Sequence, residues 1–398
     1  METPYVLGVD LGTEMIKVFI AKAMEQKPVK VIGSSALPTV GFEKGIITDA
    51  PKLAMTVRRA VDSALAVAGL PMQDVFLGIG GLDIRSFNSL GSITLEPGNR
   101  IAQQEIDKVQ SVSVNTLLSE EREALHVFPL GYWIDGNKQP AVPLQGKGNS
   151  LEAETHVITV AKQTITELVT SLQAAGVSTA GVVANAVADA QILRSQGLPD
   201  DCLLMDIGAG TTDMVLYSQG KVQMTASLPI GGEYITTDLM QGLQVSRNHA
   251  EAVKRYYAKL DQSLFGQNVE LDCNGQGTTD KKFAYDFLHN IVESRVAEII
   301  SLLYEYVRPL LIKYGVERIF LTGGCSMMPD VSNHVERIFG MKPEFIQAQG
   351  LPAEYVHPSS TACFGILHYA MQKQTPKTAK PVAKQPQEGL FHRIKKFF

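Results

Sequence analysis

The sequence predicts a duplicated α/β fold, two halves of like design that face one another across a cleft. Three observations carry this reading. A strand, a glycine turn and a second strand run from Tyr5 to Ile20, and the same arrangement returns from Leu203 to Tyr217. A third strand ends in the pair Gly323-Gly324. In the first unit Asp10, Gly12 and Thr13 stand where Asp206, Gly208 and Thr211 or Thr212 stand in the second. Recurrence of the unit after about 200 residues points to two halves of common design with a nucleotide between them.

The turn residues set the chemistry. Gly208 and Gly210 lack a Cβ, so the backbone can bend tightly and bring N–H groups against an anion. Thr211 and Thr212 add hydroxyls. Carboxylates at Asp206 and Asp213 cannot face phosphate without a cation between them, so Mg²⁺ is expected, held partly through water by Asp10 and Asp206. The competing reading of either turn alone is a glycine-rich hairpin with an Asp–Thr cap, since short glycine motifs are weak evidence. The pair of turns is what makes that reading inadequate.

The chain has 398 residues, enough for several sub-domains with real cores. Hydrophobic residues make up 45% and charged residues 19%, the balance of a globular protein. A formal net charge of −5 and the lack of a basic aromatic patch in the body argue against nucleic acid as a partner. Cys202, Cys273, Cys325 and Cys363 are scattered with no CxxC pair, which fits reduced thiols. The chain enters its first strand directly after Met1-Glu-Thr-Pro, so no signal peptide is expected. No apolar run approaches the ~20 residues that span a bilayer. Any membrane association is therefore expected to be peripheral.

Taken in order, Leu53, Val57, Ala60, Val61, Ala64, Leu65 and Ala68 recur at helical spacing within 51–69, and a glycine ends the run. Val75 to Ile79 reads as a buried strand. From residue 82 the character changes: 84–94 alternates like a strand pair, 103–118 reads as a helix, and 124–134 as a strand closed by the Asp135-Gly136 turn. Gly and Pro cluster from 139 to 148. This is a small inserted α/β sub-domain, in which His126 and Trp133 are packing residues. A strand at 154–161, a helix to about residue 175, a strand at 181–184 and a helix at 185–194 resume the first half.

After the second hairpin, Gly231-Gly232 opens a helix with Glu233 near its start, suited to the positive end of the helix dipole. Glu251 and Lys254 lie one turn apart on the next helix. They are either a structural pair or a lining for the ribose and base of the nucleotide; spacing does not separate the two. Residues 264–279 are polar and read as a loop or irregular strand, 283–311 as a long amphipathic helix. At Gly323-Gly324 a base or ribose can approach the backbone closely. Residues 358–371 read as a closing helix whose small Thr361, Ala362 and Gly365 face a tight contact.

Residues 372–388 hold three prolines among Lys and Gln and read as a disordered linker. It delivers residues 389–398. On a helical wheel Leu390, Phe391, Ile394, Phe397 and Phe398 fall within about 120°, opposite His392, Arg393, Lys395 and Lys396. A tail helix beyond a linker has no core to bury that face. Aromatics below and cations above suit the surface of an anionic membrane; docking onto the body or a partner is the alternative. One such short helix binds weakly, so avidity from an assembly is expected.

Asp10-Leu-Gly-Thr, Asp206-Ile-Gly-Ala-Gly-Thr-Thr-Asp and Leu321-Thr-Gly-Gly, in that order, resemble the phosphate-1, phosphate-2 and adenosine motifs of the actin/Hsp70/sugar-kinase superfamily. Within it the chain is most similar to the FtsA family of bacterial cell division proteins, over nearly all its length. The likeness extends through His126-Val-Phe-Pro, Tyr132-Trp-Ile-Asp-Gly, Pro229-Ile-Gly-Gly-Glu-Tyr-Ile-Thr, Ala250-Glu-Ala-Val-Lys and Glu293-Ser-Arg-Val-Ala-Glu, and the amphipathic end discriminates best. The resemblance implies an actin-like ATPase fold of two RNase H-like halves around a nucleotide cleft. Its first core would be 1–81, continued at 154–199 and 358–371, with the inserted sub-domain at 82–153. Its second core would be 200–230, continued at 304–357, with a further sub-domain at 231–303.

The resemblance also implies ATP with Mg²⁺, filaments, and peripheral placement on the cytoplasmic face of the cell membrane at the division site. The C-terminal peptide of FtsZ would dock on 231–303, and other division proteins would be recruited. Three departures bear on turnover. Met15 stands where the family commonly has a lysine, leaving Lys17 two residues on. Asn185, in Val183-Ala-Asn-Ala-Val-Ala-Asp, can position water but cannot act as a base, so hydrolysis is expected to be slow at most. The segment Gln196-Gly-Leu-Pro-Asp-Asp-Cys202 also departs from the family's wording. Two other functions share the motifs: a PilM-like assembly adaptor, and a metabolite kinase, which would need a base beside an acceptor hydroxyl.

Overall fold

A computed structural model of the chain describes residues 5–22, 29–81, 83–197, 199–258, 264–271, 281–346, 348 and 351–374. The first half opens with β1 (Tyr5–Leu11), β2 (Met15–Lys22) and β3 (Val31–Pro38), followed by the small hairpin β4 (Phe42–Glu43) and β5 (Ile46–Ile47). Helix α1 (Ala50–Ala68) starts where the Asp49 side chain accepts from Lys52 N at 3.1 Å and stops at Gly69, whose φ is +65°. Strand β6 (Val75–Ile79) follows and is buried throughout, as a central parallel strand must be.

The insertion comprises β7 (Arg85–Thr94), α2 (Gln103–Leu117), β8 (Arg122–Ile134), β9 (Asn137–Lys138) and β10 (Ser150–Ala161). Then come α3 (Lys162–Ala174), β11 (Thr179–Ala184) and α4 (Asn185–Ser195). The second half contains β12 (Cys202–Ile207), β13 (Thr212–Ser218), β14 (Lys221–Leu228), α5 (Glu233–Leu243) and α6 (Arg247–Tyr257). It continues with β15 (Asn268–Leu271), β16 (Lys281–Ala284), α7 (Tyr285–Tyr314), β17 (Ile319–Thr322), α8 (Val331–Phe339) and β18 (Glu344–Phe345). Helix α9 (Thr361–Gln374) closes the described chain.

The duplication is explicit in the sheets. The first runs β3-β2-β1-β6-β11 and the second β14-β13-β12-β17-β18. In each, three antiparallel strands are followed by two parallel ones, so β1 and β12 occupy the same place. One apolar core packs the first sheet and takes in Leu204, Val215, Tyr217 and Phe320 from one face of the second, another lies on the second sheet's other face, and a third, smaller one sits in the insertion around Ile101, Ile106, Val109 and Leu151. Helix α9 returns to the first half, where a Cβ at Gly365 would fall 1.9 Å from the Ala188 carbonyl of α4. The small residue there is a requirement of helix contact.

Several expectations are corrected. Residues 84–94 form one strand, β7, since no residue between 85 and 94 takes the positive φ of a tight turn. The strand expected at 154–161 begins at Ser150 and belongs to the inserted sheet, order β7-β10-β8-β9, not to the first half's core. It alternates over 150–154 and is buried throughout 155–160, like a central strand of a core sheet, which is why its sequence reads as part of the first half. Helix α9 extends to Gln374, into the expected linker; the rest of the linker and residues 389–398 lie outside the described residues. Strands β3 and β14 were not singled out from the sequence. Among the described residues no helix is long and apolar enough to cross a membrane.

The insertion is held to both halves. His126 Nε2 accepts from Ala184 N at 3.1 Å, between Phe128 and Tyr369 of α9. On the other side Ser86 Oγ donates to Thr225 O at 2.6 Å, Asn88 Nδ2 to Gln223 O at 3.1 Å and Lys221 Nζ to Leu130 O at 2.6 Å. The ring of buried His156 joins the two sides, with Nδ1 2.6 Å from Asn88 Oδ1 and Nε2 2.9 Å from Thr225 Oγ1. Both histidines are packing residues, as their sequence surroundings suggested for His126.

Burial pushes the His156 imidazole down to about 4 from 6.5. Between those values the unfolded chain binds a proton that the folded chain excludes, so the stability contributed above pH 6.5 is lost as pH falls toward about 4. The full effect is on the order of 3 kcal/mol. Thermal denaturation across this window is expected to show His156→Gln losing less Tm on acidification than the unaltered protein, the difference being the part that His156 contributes. Equal slopes for the two proteins would refute the assignment.

Candidate functional site

The two hairpin turns face each other. The first, Gly12 to Glu14 between β1 and β2, is braced by Thr39 Oγ1, which donates to Gly12 O at 2.7 Å. Lys44 N, from the β4–β5 turn, donates to Thr13 Oγ1 at 3.2 Å. The second turn closes on itself, Gly208 N donating to Thr211 O at 2.9 Å. It is anchored to the start of α5, where Gly232 N donates to Gly208 O at 3.0 Å and Glu233 N to Ala209 O at 2.7 Å. A Cβ at Gly210 would lie 2.4 Å from Thr13 Oγ1, so glycine is what allows the turns to meet this closely.

Between and below them opens a cleft of about 620 Å³. Its floor carries Asp10, Lys17, Asn185, Asp206 and Asp213. Lys17 stands opposite Asp10 in the β1–β2 register, and its ammonium donates to Ser359 O. Asn185, the first residue of α4, donates through Nδ2 to Asp10 Oδ1 at 3.4 Å, while its Oδ1 has no partner among the described residues. Burial pushes the Asp10 carboxyl up to about 6, with Lys17 opposing and Asp206 adding to the rise. Burial pushes Asp213 up to about 7, with Asp206 adding to it.

Asp206 is raised by burial, against the opposing pull of Asp189 and Lys17. Asp189, wholly buried on α4, is driven well above the ordinary carboxylate range by burial first and then by Asp206. Among the described residues no other group donates to its oxygens. The account consistent with both facts is a carboxylic acid that keeps its proton and turns it toward Asp206.

The far wall belongs to the second half. Lys254, 7% exposed, donates to Thr236 Oγ1 at 2.8 Å and Gly232 O at 3.2 Å, and pairs with Glu251 at 2.7 Å. The turn after β17 supplies Gly323 and Gly324, followed by Cys325, Met327 and Met328. Gly323 has φ +89°, and a Cβ there would lie 2.1 Å from Asp206 Oδ1. A left-handed backbone and a carboxylate pressed against it both demand glycine.

Of the residues expected in the cleft, Asp10, Gly12, Thr13, Lys17, Asn185, Asp206, Gly208, Gly210, Thr211, Gly232, Glu251, Lys254, Gly323 and Gly324 line it. Three expected residues do not. Thr212 is fully buried and its Oγ1 donates to Ile230 O at 2.7 Å, because strand alternation turns it to the opposite face from Thr211. Gly231 packs against the turn itself, where a Cβ would lie 2.6 Å from Ala209 O. Glu233 turns to Arg247, 2.8 Å away. The sequence reading also missed Asp189, Glu14, Arg255 and the two methionines. The only available signal was an acid on the apolar face of α4, at Asp189.

The floor suits a cation. Carboxyl groups crowd there with raised pKa values, and Asn185 Oδ1 is left without a partner. Among the described residues no three acidic, His or Cys side chains are placed to hold a metal ion directly. Asp10 and Asp206 would therefore hold Mg²⁺ partly through water, with a ligand's phosphates completing its shell. When bound, such an ion supplies positive charge to the phosphates. The protein's own groups that could bind and orient such a ligand are the turn N–H groups, the Thr13 and Thr211 hydroxyls and Lys17.

Comparison with known proteins follows this geometry. A family model described as "Cell division protein FtsA" matches residues 203–365, and one described as "SHS2 domain inserted in FTSA" matches residues 81–159. The cell division protein FtsA of Pseudomonas aeruginosa is 26% identical over 98% of this chain and 97% of its own. That of Escherichia coli K12 is 24% identical over 92% of this chain and 90% of its own. Among solved structures, the "PilM-PilN type IV pilus biogenesis complex" superposes with a TM-score of 0.69 at 15% identity, covering 92% of this chain and 98% of that one. This likeness is one of fold, the actin-like ATPase fold.

The Gly323 geometry gives a direct test. Gly323→Ala places a methyl against the Asp206 carboxylate and strains the backbone, at a cost of about 2–3 kcal/mol. Denaturant unfolding is expected to show that loss, whereas Gly340→Ala, at φ +71° with open space around it, is expected to cost about 1 kcal/mol. Equal losses would mean that Asp206 does not press on the turn.

Proposed function

The chain belongs to the FtsA family of cell division proteins, and from that premise we propose that it is an ATP-binding, membrane-tethered scaffold of the division machinery. The observation that carries the nucleotide reading is the pair of turns, Gly12–Glu14 and Gly208–Thr211, which meet over an acidic floor from opposite halves of the fold. Each turn offers backbone donors and a hydroxyl to a polyphosphate. Asp10 and Asp206 serve Mg²⁺, Lys17 balances them, Glu251 and Lys254 face the ribose and base, and Gly323–Gly324 lets the adenosine approach the backbone. Asn185 holds a water without serving as its base, so the site retains ATP far longer than it hydrolyses it.

The remaining parts of the reading rest on the family and on the sequence of the tail. Residues 389–398 place Leu390, Phe391, Ile394, Phe397 and Phe398 in the interface of the cytoplasmic membrane, with Arg393, Lys395 and Lys396 at anionic headgroups. Self-association into filaments multiplies that weak attachment. The C-terminal peptide of FtsZ docks on the second half's sub-domain at 231–303, and further division proteins are recruited.

Two measurements test this. Full-length protein is expected to pellet with vesicles containing anionic lipid, and a version ending at Gln387 to pellet about tenfold less; equal pelleting rejects the tail as the tether. In calorimetric titration with Mg-ATP, Asp206→Asn is expected to weaken binding about 10–100-fold. If the unaltered protein takes up no nucleotide, the cleft has been misread.

A further inference from the structure

We propose that the ion pair between Glu14 and Arg255, seconded by Lys44 over the ring of Tyr234, is a clasp across the cleft that must open for a nucleotide to enter or leave. The proposal rests on the nucleotide reading of the cleft and deepens it to a control on exchange. Glu14 stands in the first phosphate turn, on the first half, and Arg255 near the end of α6, on the second. Arg255 Nη2 donates to the Glu14 carboxylate, and both residues line the cleft.

Neither end is free to drift. The Glu14 turn is held by Thr39 and by the seven-pair register of β1 with β2. The guanidinium of Arg255 is steadied by Glu251 at 3.4 Å, whose other oxygen holds the buried Lys254 at 2.7 Å. Arg255 thus shares the carboxylate of a proposed ribose-facing residue, and the clasp is wired to the interior of the site. The second contact uses the β4–β5 turn. Lys44, held at φ +50°, sends its ammonium to 4.8 Å from the centre of the Tyr234 ring on α5, beside the second phosphate turn. It has no carboxylate partner among the described residues, so the ring is its main attraction.

Both contacts tie the two halves together, and the Glu14–Arg255 pair lines the cleft itself. A bound nucleotide is enclosed behind them, and its escape requires both to break in the same fluctuation. Arg255 is 61% and Glu14 36% exposed on their side chains, so the pair is screened by salt and its effect is a modest factor in rate.

The test is the dissociation rate of a fluorescent ATP analogue from the full-length protein, chased with excess unlabelled ATP. Glu14→Gln and Arg255→Gln are each expected to speed release about three- to fivefold. The double variant Glu14→Gln with Arg255→Gln is expected to release no faster than the faster single variant, because both changes remove one contact, whereas independent structural defects would multiply. Lys44→Met is expected to speed release about twofold. Raising KCl from about 0.05 to about 0.5 M is expected to accelerate release from the unaltered protein but not from Glu14→Gln. Unchanged release in both single variants, or a double variant whose acceleration is the product of the two, overturns the clasp while leaving the nucleotide site intact. If the analogue fails to bind the unaltered protein, the nucleotide reading itself is overturned.

Discussion

Crowding of carboxyl groups at one buried point is the constraint on which this molecule depends. Asp10, Asp206 and Asp213 share the cleft floor, Asp189 stands behind them, and Lys17 is the cation set among them. Burial makes each charge costly, so the floor is stable alone only while several of these groups hold protons. That stability is lost as pH rises through about 6 for Asp10 and about 7 for Asp213. A divalent cation with a polyphosphate, as proposed for this cleft, would relieve the same cost at neutral pH. An apparent defect of the core is thereby a reason for the cleft to be filled.

The duplicated sheets explain why the floor can be shared. β1 and β12 hold the same place in their sheets, and each delivers one aspartate and one glycine turn from its C-terminal end. The two ends face one another, which brings residues almost half the chain apart to within contact. The halves are held together by α4 of the first, which packs against β12 and β13 of the second within one apolar core, and by the insertion reaching β14. β14 in turn leads to Gly231-Gly232, which packs on the Gly208–Thr211 turn.

Legibility in the sequence followed the range of the interaction. Both hairpins, α1, β6 and the glycine turn after β17 are encoded within short windows, by apolar runs broken at Gly and capped by Asp. Strand β10 was assigned to the wrong sheet because strand pairing is not written in the strand that pairs. Thr211 and Thr212 were interchangeable as neighbours in sequence, and only the pleat decides that one hydroxyl faces the cleft and the other Ile230 O. Glu233 looked suited to an anion at a helix start, yet Arg247 lies close enough to claim it.

What the sequence determined by itself is the set of local devices: two phosphate-type turns, the glycines that permit them, and an amphipathic tail of cations and aromatics. These follow from periodicity and from the absence of a Cβ, both properties of a few adjacent residues. The tertiary structure alone decided which groups share one environment. It set Asp189 against Asp206, Lys44 over Tyr234 and Glu14 beside Arg255, pairings between elements far apart in the chain. Desolvation and charge act through space at a few ångströms, and no local pattern records which distant residue will arrive there.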